Sequence, residues 1–271
     1  MTDASNVSFL HNIVAKKILE KTSVIKAEPS AILDLSIGSG VLADMLYKQY
    51  PNAKITSLNT AITPKTSNNF KVINANVAKM PFSDWSYSVI YSNLMLQEIA
   101  NFQSVFAEVK RVLAPGGYFI LSTLGPQTLK EVRESWAMVD DFRHVNDFPP
   151  MQALADSLAQ QGFIDVVVST EKIVVRYDSV RTILKDLQEI GASNITALDK
   201  YQGLMTSSKL MKFCKKYEEF KLEDGSYPVT YELVYAICWA KDKSSSDAKE
   251  HLVPVDHLRN IMRRFQEGVT D

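Results

Sequence analysis

The first half of the chain alternates short apolar runs with longer segments in which apolar residues recur every three or four positions. The short runs are typical of buried strands and cover residues 31–35, 54–58, 70–73, 87–91 and 118–123. Helical periodicity occupies the intervals between them, at residues 41–50, 60–67, 96–102 and 103–113. Strands separated by short helices at this spacing predict βαβ units and a mostly parallel sheet.

The second half follows a different pattern. Its predicted elements are helices at 127–141 and 151–161, a long Val/Ile-rich strand at 163–177, a mainly helical region at 179–220, a strand at 229–241 and a basic C-terminal helix at 254–266. The whole pattern predicts an α/β fold: five parallel strands plus an antiparallel pair, helices on both faces, and a helical insertion at 178–228 before the last strand.

The chain is expected to form a single domain over residues 1–271. Within it, residues 1–125 and 126–240 have the two patterns just described, and residues 241–271 are expected to form a polar linker and a C-terminal helix. No internal repeat or low-complexity tract interrupts this plan.

Composition excludes several classes of protein. The 271 residues are 46% apolar, and 30 Lys and Arg against 31 Asp and Glu leave a formal net charge of −1. This balance argues against a non-specific nucleic-acid binder and against a disordered chain. Neither Cys214 nor Cys238 belongs to a CxxC or Cys/His cluster, so no disulfide framework or metal site is expected. Without an 18-residue apolar run or a signal-like N-terminus, we expect a cytoplasmic protein with no membrane partner.

The segment richest in chemical information is LDLSIGSG at residues 33–40. A strand that ends in a glycine-containing loop and opens a helix lets backbone approach a ligand closely and directs N–H groups at it. Taken alone, the same loop is also consistent with a tight turn that binds nothing. The segments that follow favour the ligand-binding interpretation.

Together these segments resemble the class I S-adenosylmethionine-dependent methyltransferases. The matching positions are Asp34, Gly38 and Gly40, followed by MPF at 80–82, YSNL at 91–94 and RVLAPGG at 111–117. The resemblance implies a Rossmann-like fold and S-adenosylmethionine as cofactor, with residues 1–125 as the cofactor-binding half. The cofactor-binding residues that it implies are Asp34, Ser36, Gly38, Gly40, Asn59, Asn76, Val77 and Asn93.

Later segments resemble one branch, the malonyl-[acyl-carrier protein] O-methyltransferases of biotin synthesis. The shared segments are STLGP at 122–126, TLKEVR at 128–133 with Trp136, HVNDF at 144–148, YDS at 177–179 with Asp186 and Leu187, GASN at 191–194, and TYE at 230–232. The resemblance implies methyl transfer to the free carboxylate of a malonyl thioester on acyl-carrier protein, early in pimeloyl synthesis.

Several positions depart from the family pattern. Ser36 replaces a glycine, and Asn59, Asn76 and Ser88 stand where relatives usually have acids, which we interpret as three acids lost from one pocket. An asparagine lacks the charge that strengthens a carboxylate's hydrogen bonds, so each loss is expected to weaken cofactor binding on the order of ten- to a hundredfold. These losses keep an alternative open: an inactive methyltransferase fold that acts in assembly or protein interaction.

Methyl transfer to a carboxylate needs no strong base, because the nucleophile is already ionised at neutral pH. The predicted clamp for the substrate carboxylate is an arginine, with Arg133, Arg143 and Arg176 as candidates, and His144 is a candidate for orienting it. For each arginine the alternative is a solvated surface residue, and for His144 a hydrogen-bonded structural residue.

Two basic segments are candidates for docking an acidic carrier protein. Residues 204–221 hold five lysines (Lys209, Lys212, Lys215, Lys216 and Lys221) against Glu218 and Glu219, and the second segment has Arg259, Arg263 and Arg264. A solvated helix face is the alternative interpretation. The sequence leaves open the oligomeric state and the choice between carrier protein and coenzyme A as the substrate's thioester group.

Overall fold

The structure is a computed structural model that describes residues 5–36, 40–59, 69–99, 101–189 and 206–242. In these ranges the helices are α1 (Ser5–Thr22), α2 (Val41–Gln49), α3 (Phe102–Val112), α4 (Lys130–Ala137), α5 (Met151–Gln160), α6 (Val180–Glu189) and α7 (Ser207–Tyr217). The strands are β1 (Ala31–Asp34), β2 (Lys54–Asn59), β3 (Lys71–Asn74), β4 (Tyr87–Asn93), β5 (Leu113–Leu124), β6 (Phe163–Tyr177) and β7 (Tyr227–Ala240). One-turn 3₁₀ helices occupy Leu96–Glu98 and Glu218–Phe220.

All seven strands belong to one sheet, in the order β3-β2-β1-β4-β5-β7-β6. The first five strands of this order pair in parallel, which confirms the predicted βαβ units. Strands β6 and β7 complete a mixed sheet with an antiparallel pair, and α6 and α7 lie between them in sequence. The predicted fold class is therefore confirmed.

Apolar periodicity explains why the parallel strands and their helices form a core. On β1, Ile32 and Leu33 are both fully buried, as expected of a strand covered on both faces. Helix α3 buries Val105, Phe106 and Val109, which share one side of the helix at spacings of one and three residues.

Two motifs that are far apart in sequence meet at Arg111 near the end of α3. Its guanidinium donates to the carbonyl oxygens of Met80 at 3.1 Å and Phe82 at 2.7 Å, and forms ion pairs with Glu108 and Asp84. These bonds anchor the MPF segment at residues 80–82 to α3. Arg111, the first residue of the RVLAPGG motif, thus has a structural role.

The structure corrects several predicted elements. Helix α1 was not predicted, the helix expected at 96–102 is only the 3₁₀ turn Leu96–Glu98, and β5 begins five residues before the predicted residue 118. The helix expected at 127–141 spans only Lys130–Ala137, because the backbone before it bonds to β7 and Leu129 has a positive φ of 57°. The helices expected at 60–67 and 254–266 lie outside the described residues.

Contacts along the chain cluster into two units. The larger unit comprises Leu10–Thr123, Met151–Thr170 and Val234–Asp271; the smaller comprises Met1–Phe9, Leu124–Pro150 and Glu171–Leu233. The predicted halves 1–125 and 126–240 correspond to these units only in part, because residues 151–170 and those from 234 onwards group with the larger unit. The single domain and its internal divisions remain predictions.

Candidate functional site

Most of the predicted cofactor residues lie at one edge of the sheet, where the parallel strands end. They are Asp34 on β1, Asn59 on β2, Asn93 on β4, and Asn76 and Val77 just beyond β3. The register places Asp34 level with Ser57 on β2, and Asn59 level with Asn74 on β3. Ligands of open α/β sheets bind at this edge. Gly38 and the side chain of Asn59 lie outside the described part of the structure.

The carboxylate of Asp34 is fully buried and is held by two serine hydroxyls. Ser36 donates to one oxygen, and Ser57 on the neighbouring strand donates to the other at 3.1 Å. Burial raises the pKa of Asp34 to about 6, although both hydroxyls act in the opposite direction. The Ser36 hydroxyl therefore stabilises the ionised form of Asp34.

Gly40 sets the geometry at the start of α2. It is the residue immediately before the helix and adopts a left-handed conformation, with φ of 72° and ψ of 16°. A glycine adopts this conformation without the steric penalty that a Cβ atom would bring. The N–H groups of the first turn of α2 are thereby presented at the end of the loop, the arrangement that binds anionic groups in such folds.

Asn76 and Val77 form the turn that follows β3. The side-chain oxygen of Asn76 accepts from the backbone N–H of Ala78 at 2.8 Å, and its carbonyl accepts from Lys79 at 3.0 Å. The Asn76 side chain is exposed, whereas Val77 is buried. Asn76 therefore shapes its own turn while remaining accessible to a ligand.

Asn93, by contrast, uses its side-chain amide within the protein. The nitrogen donates to the carbonyl of His11 on α1 at 2.9 Å, and the oxygen accepts from the Ser122 hydroxyl at 3.1 Å. Asn93 is almost completely buried. It thus ties α1 and β5 to the end of β4, and the contact with α1 was not predicted from the sequence.

The prediction that Ser88 belongs to the same pocket was wrong. Its hydroxyl donates to the carbonyl oxygen of Ala31 at 2.8 Å, at the beginning of β1. Because β1 and β4 are parallel, Ser88 lies three residues before Tyr91, the residue level with Asp34. At about 3.3 Å per residue, it is roughly 10 Å from the ligand edge. Its substitution for an acid is therefore no loss to the cofactor site.

The described part of the smaller unit contains a compact cluster around Asp140. One carboxylate oxygen lies 2.8 Å from Nε2 of His144, and the other accepts from Nζ of Lys209 on α7 at 2.7 Å. The hydrogen bonds from Lys209 and His144 lower the pKa of Asp140, although burial, the largest single influence, acts in the opposite direction.

Aromatic stacking reinforces this cluster. The His144 ring lies on Trp136 with ring centroids 3.9 Å apart, and Trp136 stacks on Phe213 of α7 at 4.4 Å. His144 therefore has the hydrogen-bonded, packed environment of a structural residue, and its predicted role toward a substrate carboxylate stays a prediction.

The three predicted clamp arginines have different environments. Arg133 donates to the carbonyls of Pro126 at 3.0 Å and Thr128 at 3.2 Å, and its buried Nε has no hydrogen-bond partner within the described residues. Arg143 and Arg176 are exposed and form ion pairs with aspartates, Arg143 with Asp147 and Arg176 with Asp224.

No three His, Cys, Asp or Glu side chains within the described residues come together in a way that would hold a metal ion. None of the helices in those same ranges is long and apolar enough to cross a membrane.

Comparison with known proteins gives one match to part of the chain and further matches to most of it. A methyltransferase domain family matches residues 33–121. A malonyl-[acyl-carrier protein] O-methyltransferase of Coxiella burnetii is 32% identical over 256 residues, covering 93% of this chain and 90% of that protein. A second, from Gallionella capsiferriformans, is 36% identical over 251 residues, covering 88% and 85%. The chain belongs to the malonyl-[acyl-carrier protein] O-methyltransferase family.

A solved structure supports the fold of this family member. The structure of phosphoethanolamine N-methyltransferase 2 from Haemonchus contortus, in complex with phosphomonomethylethanolamine and S-adenosylhomocysteine, superposes with a TM-score of 0.51 at 12% identity. The match covers 89% of this chain and 59% of that one, and at this identity it concerns the fold alone.

Two segments of the smaller unit, residues 125–131 and 230–232, are joined by several hydrogen bonds. The N–H of Gly125 donates to the carbonyl of Glu232 at 2.8 Å, and the Glu232 carboxylate accepts from the N–H of Gln127 at 2.7 Å. A Cβ on Gly125 would lie only 2.6 Å from the Glu232 carboxylate. Buried Glu131 accepts from both the N–H and the hydroxyl of Thr230. Residues 125–131 and 230–232 therefore lock the start of α4 onto β7.

Proposed function

We propose that this methyltransferase transfers the methyl group of S-adenosylmethionine to the free carboxylate of a malonyl group on acyl-carrier protein, early in biotin synthesis. The observation that carries the proposal is similarity through both units: 93% of the chain aligns with a malonyl-[acyl-carrier protein] O-methyltransferase. A match to the cofactor-binding segment alone would support methyl transfer but would not identify the substrate.

The residues at the ligand edge fit the cofactor. A buried acid at the end of β1, asparagines at or beyond the ends of β2 and β3, and the N-terminus of α2 after Gly40 supply acceptors and N–H groups for a nucleoside carrying an amino acid. We assign this role to Asp34, Ser36, Gly38, Gly40, Asn59, Asn76, Val77 and Asn93, with Asn93 acting through the scaffold rather than its amide. The bound cofactor supplies an electrophilic methyl group on a sulfonium.

The protein's chemical task is then orientation rather than proton transfer. A malonyl carboxylate is ionised at neutral pH and needs no general base. Alignment of the two reactants and exclusion of water supply most of the rate enhancement, on the order of 7–11 kcal/mol in favourable cases. Of the predicted clamps, Arg133 is retained to hold the carboxylate, because its buried Nε–H lacks an acceptor within the described residues.

A methyl-transfer assay tests the proposal. The protein is incubated with methyl-labelled S-adenosylmethionine and malonyl-acyl-carrier protein, with acetyl-acyl-carrier protein, which lacks a free carboxylate, as the matched control. The expected result is a base-labile methyl ester on the malonyl carrier and none on the acetyl carrier.

Two outcomes would overturn the proposal. One is equal labelling of both carriers, which would place the methyl group somewhere other than the malonyl carboxylate. The other is cofactor-dependent thermal stabilisation without any ester, in a reaction where a positive-control enzyme labels the same carrier; that result would favour the interaction-protein alternative.

A further inference from the structure

Helix α7 has one face toward the protein and one toward solvent. Phe213 and Tyr217 are fully buried on the first face. Met211, Lys212 and Lys215 are exposed, and their spacing of one and three residues puts them together on the opposite side of the helix. Met211 is 66% exposed, which is unusual for a large apolar side chain on a helix whose other face is well packed.

Ion pairing divides the five lysines of this region into two groups. Lys209 pairs with Asp140 at 2.7 Å, Lys216 with Glu219 at 2.7 Å, and Lys221 with Glu218 at 3.6 Å. Within the described part of the chain, Lys212 and Lys215 form no ion pair. The unneutralised positive charge of α7 is therefore concentrated on the face that also carries Met211.

A second large apolar side chain lies beside this helix. Phe142 is 49% exposed, and its ring centroid is 5.5 Å from Nζ of Lys209. The cluster around Asp140 fixes this arrangement, because the same Lys209 amine bonds to the Asp140 carboxylate. Phe142 thus lies against α7 at Lys209, three residues before Lys212 of the exposed face.

We propose that Met211, Lys212 and Lys215, with Phe142 beside them, form the surface that docks the acidic carrier protein. The inference rests on the proposed function, which supplies the partner. Charge complementarity favours an acidic protein: two lysines without an ion pair among the described residues, on the same face as the exposed Met211, match a surface that carries both carboxylates and an apolar contact. The net charge of −1, and the presence of only two lysines in the proposed surface, disfavour nucleic acid as the partner.

Charge reversal tests the docking surface. The double variant Lys212→Glu/Lys215→Glu is compared with Lys48→Glu/Lys54→Glu, which makes the same charge change at two exposed lysines elsewhere in the chain. Binding of unacylated holo-carrier protein is measured at several salt concentrations. Reversal on α7 is expected to raise the Kd roughly tenfold and to flatten its salt dependence, because like charges then face each other. The control is expected to stay near wild type.

Two substrates separate docking from catalysis. Methyl transfer is measured with malonyl-carrier protein and with the small malonyl-N-acetylcysteamine thioester, which keeps the malonyl carboxylate but lacks the acidic carrier protein. The α7 variant is expected to raise KM for the carrier substrate roughly tenfold and to leave the rate with the small thioester unchanged. A milder variant, Lys212→Gln/Lys215→Gln, guards against misfolding and is expected to give an intermediate effect.

The outcomes distinguish this inference from the proposed function. Wild-type activity on neither malonyl substrate, with carrier binding still lost on charge reversal, would overturn the function and leave the docking surface intact. Unchanged carrier binding by the α7 variant would overturn the docking surface while the function stands. An equal loss of activity on the small thioester would also overturn the docking surface, because the α7 residues would then be needed for the active fold itself. A changed oligomeric state of the variant would overturn it too, because this face of α7 would then contact a second copy of the chain.

Discussion

Two carboxylates removed from bulk water illustrate how differently the two units use an acid. Asp34, in the larger unit, is fully buried and accepts hydrogen bonds from the hydroxyls of Ser36 and Ser57, with no cation among these partners. Asp140, in the smaller unit, bonds to the Lys209 amine and the His144 ring. Burial raises the pKa of Asp34 to about 6, whereas its partners lower the pKa of Asp140.

These opposite shifts have opposite consequences for stability. Asp34 is ionised in the folded protein at neutral pH at a cost in stability, because its folded pKa lies above its unfolded value of 3.8. Asp140 stabilises the fold above pH 3.8, since its folded pKa lies below that value. An acid maintained at a cost in stability is characteristic of a functional site, and an acid that stabilises the fold is characteristic of a structural brace.

The largest expected effect on stability comes from breaking the ion pair between Asp140 and Lys209. Asp140→Asn removes the charge that holds Lys209 and is expected to lower the free energy of unfolding by about 2–3 kcal/mol at pH 7, less than for a fully buried pair because Lys209 is 28% exposed. Urea denaturation measures this loss. The loss should shrink as the pH falls from 3.8 through the lower folded pKa of Asp140, because the wild-type protein then loses the same stabilisation by taking up a proton.

A matched control for this variant is Asp147→Asn. Asp147 pairs with Arg143, but both side chains are well exposed, so the expected change is below about 0.5 kcal/mol. Equal losses in the two variants would show that Asp140 is no more important than a surface ion pair.

Asp34→Asn is expected to act in the opposite direction. It removes the buried charge and should raise stability by about 1–2 kcal/mol at pH 8, since each unit of pKa shift corresponds to about 1.4 kcal/mol and the amide bonds the serines less well. The difference from wild type should diminish as the pH falls from about 6 to 3.8, where the folded wild type takes up a proton. Thermal melts from pH 4 to 8 measure it.

Ser36→Ala tests how the serine hydroxyl affects the buried Asp34 carboxylate. It removes a donor to the Asp34 carboxylate, so the pKa should rise further and the pH window should move upward. A pH-independent difference between Asp34→Asn and wild type would contradict the proposed cost of the buried charge.

Asn59→Asp adds a second acid to the ligand edge, at the end of β2. If this position bonds the ribose of the cofactor, the charge should tighten binding about tenfold, because a charge-assisted hydrogen bond is stronger than a neutral one. Calorimetry with S-adenosylhomocysteine provides the measurement. An unchanged Kd would show that the strand end does not contact the ribose.

The smallest expected effect is that of Arg176→Gln. Arg176 is 65% exposed and pairs with a half-exposed aspartate, so stability should change by less than about 0.5 kcal/mol and KM for the malonyl substrate should not change. Arg133→Lys is the comparison, with an expected rise in KM of about tenfold from the loss of guanidinium geometry. A raised KM for the Arg176→Gln variant would instead indicate that Arg176 binds the substrate carboxylate.

Much of the fold was predictable because local periodicity reflects burial. The runs at 31–35 and 54–58 agree with β1 and β2 to within one residue, since a parallel strand covered on both faces is apolar along its length. Helix α1 was missed, although Leu10, Val14 and Ile18 recur at a helical spacing of four and are all buried.

The candidate site was predictable only where a motif marks it. Asp34 was predicted from its position before the glycine loop, but its bond from Ser57 joins neighbouring strands 23 residues apart in sequence. Ser88 was misplaced because its substitution for an acid was weighed without its position: it is the second residue of β4, at the end of the strand away from the ligand edge. The pairing of Asp140 with Lys209 spans 69 residues and has no local pattern.

The amino-acid sequence by itself determined the parallel sheet, the glycine-containing loop at its ligand edge and membership in a methyltransferase family, because periodicity and motifs are local properties of the chain. Only the tertiary structure decided that Ser36 supports Asp34, that Ser88 lies away from the ligand edge, and that Lys212 and Lys215 form no ion pair with any residue in the described ranges. These outcomes depend on which distant segments pack together, and local periodicity carries no information about charge partners brought close by that packing.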